Sequence, residues 1–196
     1  MPKNFTPSMA VLGAALVAAL LAPPAQAATC QVTASGAGSQ DGSSWANAAT
    51  LQGALGNASC TEIWVKAGVY KPTTSADRTI SFNVNAGVAV YGGFAGTETL
   101  RSQANPATHR TVLSGDIDGN DANTGGVTLT AADIAGANSY HVVVMGGTGN
   151  VGNAAIGAST VLDGLTVTAG KADGSTGNDD VGGGLLCNGN HGPDPN

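Results

Sequence analysis

Short apolar segments that follow one another every 20–30 residues constrain the fold of this chain more than any other feature. These segments start at Ile63, Val88, Val112, Val142, Leu165 and Leu185. Successive starts are 25, 24, 30, 23 and 20 residues apart. A quasi-period of this length is typical of solenoids, in which each turn buries its apolar face on the next turn. An antiparallel sandwich is the alternative, because two or three short strands fall within each step.

Composition favours the solenoid. The chain has 196 residues, of which 30 are glycine, 10% are charged and 4% are aromatic. Glycine at this level disfavours a helical bundle, since each helical glycine costs about 1 kcal/mol relative to alanine. The glycines do not follow a Gly-X-Y period, which excludes collagen. The low charge argues against charge-driven disorder. The sequence therefore predicts an all-β protein, with a parallel β-helix as the fold.

The charge balance excludes a nucleic-acid-binding protein. The chain has seven Lys and Arg residues and 13 Asp and Glu residues, which gives a net charge of −6. Because six or more phosphate contacts would use nearly all of these cations, we expect no nucleic acid partner.

The N-terminus has the pattern of an export signal. Lys3 precedes an apolar run over residues 9–22, and Ala25-Gln26-Ala27 matches a small-residue cleavage site. The alternative is a transmembrane anchor, but 14 apolar residues are fewer than the roughly 20 that span a bilayer. We therefore expect a signal peptide over residues 1–27 and an exported chain of 169 residues with a net charge of −7. No later segment is apolar enough to span a membrane.

Export favours disulfides. A bond between Cys30 and Cys60 would close a loop of roughly 30 residues, worth on the order of 3 kcal/mol in the chain-entropy description. Cys187 is then left over, either as a buried thiol in a strand or with a partner outside the chain.

The chain divides into two parts after the leader. Residues 28–60 are expected to form an N-terminal cap with one helix over 44–58, which has apolar residues at helical spacing and Ser43 or Ser44 as its cap. Residues 61–196 are expected to form the β-helix turns. The predicted extended segments are 30–33, 62–66, 69–71, 79–84, 88–91, 111–114, 140–145, 160–162, 165–168 and 182–186. Gly92-Gly93 is expected to end the strand over 88–91.

An ordered set of blocks resembles a known family. The blocks are DGSSWA (41–46), EIWVKAGVYKP (62–72), GVAVYGGFAGTE (87–98), LSGDIDGND (113–121), NSYHVV (138–143) and VLDGLTV (161–167). Together they resemble the N-terminal region of large bacterial secreted proteins with a right-handed parallel β-helix, the pectin-lyase-like superfamily, including those with polymorphic-outer-membrane-protein repeats. The resemblance covers residues 41–186.

The resemblance implies a location and a role. It implies an extracellular, outer-membrane or cell-surface protein with an adhesin-like or passenger-like role. In that family the glycine-rich block at 182–184 opens further repeats, whereas this sequence ends at Asn196. We therefore expect a fragment or a truncated product, whose exposed last turn would self-associate.

One acidic loop is a candidate Ca²⁺ site, and Ca²⁺ is the only cofactor that the sequence suggests. Asp116, Asp118, Asn120 and Asp121 place oxygen ligands close together, which suits a hard cation. An EF-hand is excluded, because its sixth position would be Asp121 rather than glycine. The alternative is a polar turn held by local hydrogen bonds.

A second motif is discounted. Gly147, Gly149 and Gly152 form a G-x-G-x-x-G pattern after a strand, but no crossover helix fits before Thr160. We expect an ordinary turn and no bound nucleotide.

No catalytic set is evident. A polysaccharide lyase needs a cationic base, for which Arg78, Arg101, Arg110 and Lys171 are the candidates, and the net negative charge repels a polyuronate. We expect a non-enzymatic protein that binds carbohydrate or a host surface. The alternatives are a lyase or glycoside hydrolase of the same superfamily, and a truncated product without function.

Overall fold

A computed structural model describes Met1, residues 28–146 and residues 156–187. The predicted signal peptide from residue 2 onward and the G-x-G-x-x-G motif at 147–152 lie outside these ranges, as do residues 188–196. In the described part of the chain, no helix is long and apolar enough to cross a membrane.

The protein is rich in short strands. The strands in chain order are β1 (Ala28–Val32), β2 (Cys60–Lys66), β3 (Gly68–Tyr70), β4 (Phe82–Val84), β5 (Ala89–Phe94), β6 (Thr111–Ser114), β7 (Val143–Met145), β8 (Val161–Asp163), β9 (Leu165–Thr168) and β10 (Leu185–Cys187). Each lies in or overlaps a segment that the alternation of apolar residues predicts, although the ends differ by several residues. Residues just outside the strands, such as Val142, are as deeply buried as the strands themselves.

The strands form three sheets, and every pairing within them is parallel. Sheet A has the order β1-β2-β5-β8, sheet B has β3-β6-β9 and sheet C has β4-β7-β10. From β2 onward the chain visits sheets A, B and C in that order three times. From β5 onward, each strand pairs with the strand that the chain formed in the same sheet one visit earlier. The chain between the two strands provides the long connection that parallel neighbours need.

Side chains in register form apolar rows on the inner face of each sheet. In sheet A, Cys30, Ile63, Val90 and Leu162 are successive partners across the four strands. Equivalent rows in sheets B and C join the same buried cluster, which includes Phe82. Each fully buried Val, Leu, Ile or Phe contributes roughly 1.5–3 kcal/mol through removal from water, so these rows supply the core.

The prediction of a single helix over 44–58 is wrong. A 3-10 helix covers Trp45–Asn47, with Ser44 as its cap, and α1 covers only Leu51–Leu55. Between them Ala49 is extended and pairs with β1, donating its N–H to the Gln31 carbonyl at 2.9 Å. The helix is interrupted because this main chain hydrogen-bonds to a strand. α1 then packs its apolar side against β1, β2 and β4.

The prediction that Gly92-Gly93 ends the fifth strand is also wrong. β5 continues to Phe94, and its register against β2 shifts between the Trp64 and Lys66 pairs. At the shift, the Gly93 N–H is donated to the Thr111 hydroxyl at 3.0 Å. Gly93 has a φ of 95°, which few residues other than glycine adopt. The two glycines thus bend the strand without ending it.

The cysteines occupy different environments. Cys30 and Cys60 form a disulfide that links β1 to the start of β2, with Cα atoms 5.5 Å apart. Cys187 carries a free, exposed thiol in β10. The interpretation of Cys187 as a buried thiol is therefore wrong, because β10 is an edge strand of sheet C in the described part of the chain.

Close main-chain contact between successive visits to a sheet predicts a strong effect at Gly115. A Cβ atom at Gly115 would lie 2.4 Å from the Ala169 carbonyl oxygen, so that the two connections could not remain in contact. We expect Gly115→Ala to lower the free energy of unfolding by about 1–3 kcal/mol, measured by urea denaturation.

Gly157→Ala is the matched control, since a Cβ there meets no atom of the described residues within 4 Å. We expect the control to change stability by less than about 0.5 kcal/mol. Equal losses in the two variants would contradict the close packing described at Gly115.

Candidate functional site

The outer face of sheet A carries a second row of side chains in register. Gln31, Trp64, Tyr91 and Asp163 are successive partners across β1, β2, β5 and β8. Because side chains alternate along a strand, this row points away from the apolar row that begins at Cys30. Aromatic and polar groups at strand spacing on an outer face are available for binding wherever nothing covers them.

The end of β5 covers Trp64 in this row. Phe94 stacks on Trp64 with ring centroids 4.9 Å apart and an interplanar angle of 7°. Trp45 packs on the same Phe94 ring at 5.8 Å and donates its indole N–H to the Glu98 carbonyl at 2.9 Å. Trp64 is consequently buried, and both tryptophans hold the connection after β5 in place, as expected for core or cap residues.

Glu98 anchors this connection through its carboxylate. The carboxylate oxygens accept the main-chain N–H groups of Ala95 at 2.6 Å, Gly96 at 2.9 Å and Thr97 at 2.9 Å. Burial raises the pKa of the Glu98 carboxyl, but these backbone donors outweigh that effect and hold the pKa below its ordinary value. The buried negative charge is therefore part of the folded connection.

The anchored connection holds Arg101 above Tyr91. Gln103 accepts the N–H groups of Thr99 and Leu100 through its Oε1 atom, each at 2.9 Å, and this begins a 3-10 helix over Arg101–Gln103. The Arg101 guanidinium lies 4.7 Å from the centre of the Tyr91 ring, and its Nη1 donates to the Tyr91 hydroxyl at 2.7 Å. The arginine is thus positioned although its side chain is exposed.

A groove of about 430 Å³ lies at the uncovered part of the row. Its lining includes Tyr91 and Asp163 from the sheet and Arg101, Ser102 and Pro106 from the connection after β5. We call it the sheet A groove. It combines an aromatic residue, a guanidinium and a carboxylate with small apolar surfaces, which is a composition suited to a polyhydroxylated ligand.

The two charged groups of the sheet A groove are not paired with other charges. Neither Arg101 nor Asp163 forms an ion pair with any residue that the structure describes. Arg101 retains N–H donors beyond the one given to Tyr91, and no described residue donates a hydrogen bond to the Asp163 carboxylate. Within the described part of the chain, both groups can hydrogen-bond a ligand.

Three of the candidate Ca²⁺ residues, Asp116, Asp118 and Asp121, accept hydrogen bonds from main-chain N–H groups. Asp116 is buried, accepts the N–H groups of Gly119 at 2.7 Å and Asn120 at 3.1 Å, and lies 3.7 Å from the Lys71 ammonium. Asp118 accepts the Asn120 side-chain amide at 3.0 Å and the Ala137 N–H at 2.8 Å. The Ala137 bond is the chief reason that the pKa of Asp118 lies below its ordinary value.

Asp121 closes the same connection from another side. It accepts the Ala135 N–H at 2.8 Å and the Asn138 side-chain amide at 2.9 Å. Over residues 28–146 and 156–187, no group of three or more His, Cys, Asp or Glu side chains is arranged to hold a metal ion. The oxygens of Asp116, Asp118 and Asp121 accept hydrogen bonds from N–H groups, and the Asn120 side-chain amide donates to Asp118.

Two of the four candidate lyase cations are tied into a structural cluster. Arg78 donates to the carbonyls of Asn138 at 2.6 Å and Lys171 at 2.9 Å, stacks over Tyr140 and pairs with Asp173. The Lys171 ammonium lies 3.5 Å from the same Asp173 carboxylate.

The other two candidates are separate from this cluster. Arg101 belongs to the sheet A groove, whereas Arg110 is exposed and forms no ion pair with a described residue. The structure thus brings only Arg78 and Lys171 together, and their shared carboxylate neutralises part of their charge.

A second groove of about 530 Å³ lies between the cap and the segment that follows β3. Its walls carry the hydroxyls of Ser35, Thr50 and Thr73, and its single charged lining residue is Lys71. Because the Lys71 ammonium already faces Asp116, this groove provides a ligand with fewer available charged groups than the sheet A groove does.

Tyr91 and Asp163 are the groove residues that sequence reasoning missed. A usable signal was present, since Trp64 and Tyr91 each follow an inward-facing residue in a predicted strand, and Asp163 follows Leu162 in the same way. Arg101 was identified only as a candidate lyase cation.

Comparison with known proteins yields no relative for this chain. No protein-family model matches the sequence, and no curated protein or solved structure matches it.

The buried Glu98 carboxylate predicts an acid-dependent loss of stability. The folded-state pKa is lowered, so the contribution of Glu98 is present above the unfolded pKa of about 4.3 and is lost as the pH falls through the lower folded value. At pH 7 we expect Glu98→Gln to cost about 1–3 kcal/mol of unfolding free energy, because the amide cannot accept all three N–H groups.

Urea unfolding of both proteins at neutral and acidic pH checks this expectation. The difference between wild type and Glu98→Gln should shrink at acidic pH. Asp133→Asn is the control, since Asp133 accepts only a local N–H and hydroxyl from Thr130. A difference that stays constant with pH would contradict the assignment to the Glu98 charge.

The hydrogen bonds of Asp116, Asp118 and Asp121 predict indifference to Ca²⁺. A ligand that binds only the folded state raises the melting temperature according to its affinity and concentration. We expect midpoints within about 1 °C of each other in Ca²⁺ and in EDTA, measured by differential scanning calorimetry. A clear rise in Ca²⁺ that is lost in Asp118→Asn would restore the cation site.

Proposed function

We propose that this chain is an exported right-handed parallel β-helix that binds carbohydrate at a bacterial cell surface without enzymatic activity. The observation that carries the proposal is the sheet A groove, in which Tyr91, Arg101 and Asp163 meet on the outer face of a parallel sheet. The proposal gives the chain a passenger-like or adhesin-like role, in which a stiff solenoid presents a ligand-binding surface.

Parallel pairing in three sheets supports the β-helix. Three successive visits to sheets A, B and C, each strand pairing with its counterpart one visit earlier, give one coil per visit. Parallel crossovers are right-handed in nearly all proteins, which favours a right-handed coil. α1 packs against β1, β2 and β4, the first strands of sheets A and C, and this position suits a cap on the first coil.

Two independent features support export. The N-terminal sequence has a basic residue, an apolar run and a small-residue cleavage pattern. The Cys30–Cys60 disulfide is of the kind that persists in oxidising compartments. Cell-surface exposure follows from the family resemblance of the sequence and is part of the proposal.

The environment of the cations favours binding over lyase chemistry. A lyase base must reach a proton beside a uronate carboxylate while other cations or a metal neutralise that carboxylate. Arg78 and Lys171 both face Asp173. Arg101 stands apart from these two in the sheet A groove and is held by Tyr91.

Binding to a panel of soluble polysaccharides, measured by isothermal titration calorimetry, tests the proposal. We expect Arg101→Ala and Tyr91→Ala to weaken the binding of any bound glycan by about tenfold or more, because each loses a hydrogen-bonding group that contacts the ligand. Circular dichroism melting should verify that both variants remain folded.

Arg110→Ala is the matched control, since Arg110 is also an exposed arginine without an ion-pair partner among the described residues. It should leave binding unchanged. Absence of binding to every glycan, or equal losses in the two arginine variants, would refute the proposal. Release of unsaturated uronate from polygalacturonate would establish the lyase alternative.

A further inference from the structure

We infer that the sheet A groove selects neutral sugars and rejects both uronates and amino sugars. This inference rests on the proposed carbohydrate-binding function and specifies the class of ligand. It follows from the placement of one unpaired carboxylate and one partly used guanidinium in the same groove.

Asp163 is the group that rejects a uronate. It is exposed at the end of β8, lines the groove and has no cationic partner among the described residues. A carboxylate accepts hydrogen bonds from two sugar hydroxyls but offers no donor to a second carboxylate. Two like charges about 4 Å apart repel by about 1 kcal/mol in water and by more where the dielectric is lower.

Arg101 does not compensate for this repulsion. Its Nη1 atom is committed to the Tyr91 hydroxyl, and its charge rests on the Tyr91 ring. Its other N–H groups can still donate to the hydroxyl or ring oxygens of a sugar. A single guanidinium beside a carboxylate, on an exported chain of net charge −7, provides no field that attracts a polyanion.

The same two residues disfavour an amino sugar. The Arg101 guanidinium lines the same groove, so an ammonium group drawn towards Asp163 would also approach a like charge. Each of the two charges therefore repels one class of ionic ligand. The groove still provides hydrogen-bond donors on Arg101 and acceptors on Asp163, and adjacent hydroxyls of a neutral sugar can bond to both.

The other described cations do not line the sheet A groove. Lys71 faces Asp116, and Arg78 and Lys171 face Asp173, whereas Lys66 and Arg110 are exposed and form no ion pair with a described residue. A surface built for polyuronate would carry a row of unpaired cations along successive strands. In the described part of sheet A, the outer row instead has Gln31, Trp64, Tyr91 and Asp163.

Calorimetric titration with three sets of glycans of similar chain length tests the inference. The sets are neutral (galactan, xylan, mannan and dextran), anionic (polygalacturonate and alginate) and cationic (chitosan). We expect binding to at least one neutral glycan and at least tenfold weaker binding to the charged glycans. The neutral affinity should change by less than about twofold when ionic strength rises from about 0.05 to about 0.5 M, because screening acts only on charges.

Asp163→Asn identifies the residue responsible. The variant should bind the neutral glycan about three- to tenfold more weakly and should bind polygalacturonate more tightly than wild type does, since the repulsive charge is gone. Asp180→Asn is the control, because Asp180 is exposed and does not line the sheet A groove. It should change neither affinity.

The outcomes separate the two proposals. Tightest binding to polygalacturonate, alginate or chitosan, with an affinity that falls as salt rises, overturns the neutral preference but leaves carbohydrate binding standing. A neutral preference that Asp163→Asn leaves intact also overturns the assigned role of Asp163. Failure to bind any of the glycans overturns carbohydrate binding itself, and the neutral preference with it.

Discussion

The parallel register between strands is the constraint on which every other feature of this protein depends. Because side chains alternate along a strand, one register places Ile63, Val90 and Leu162 in the core and Trp64, Tyr91 and Asp163 on the outer face. A slip of one residue would exchange the two rows, burying a carboxylate and exposing the apolar row. The energy of the core therefore also determines which groups the outer face can offer to a ligand.

Two long connections use buried carboxylates to hold irregular main chain against the sheets. Glu98 accepts three successive N–H groups after β5, and in the connection between β6 and β7 Asp116 accepts two N–H groups and Asp121 accepts one. Irregular segments have main-chain donors that no strand satisfies, and leaving such a donor buried and unpaired costs about 1–3 kcal/mol. Acidic side chains satisfy these donors, and the anchored connection after β5 positions Arg101.

Local pattern predicted the elements whose burial follows from alternation, and it failed where distant main chain decides the structure. The strand around Phe82 was readable because apolar and polar residues alternate there, and the structure buries Phe82 and Val84 on the same side. The helix expected over 44–58 is divided because Ala49 pairs with Gln31, a contact that no helical spacing reveals. The hydrogen bond from the Ala137 N–H to Asp118 could not be foreseen either, because the two residues lie 19 positions apart in sequence. The sheet A groove escaped for the same reason, as its residues come from three separate segments.

The acidic composition of the chain therefore has two different meanings. Glu98, Asp116 and Asp121 are buried and accept hydrogen bonds from main-chain N–H groups. Their charges therefore contribute to folding and are not exposed to a ligand. Asp163 belongs to the exposed carboxylates, and among the lining residues of the sheet A groove it is the acidic one. Net charge counts both kinds equally, which is why composition alone cannot distinguish a cation site from a folded loop. Under the proposed function, Asp163 is the carboxylate that meets the ligand, and the register of β8 against β5 places it on the outer face.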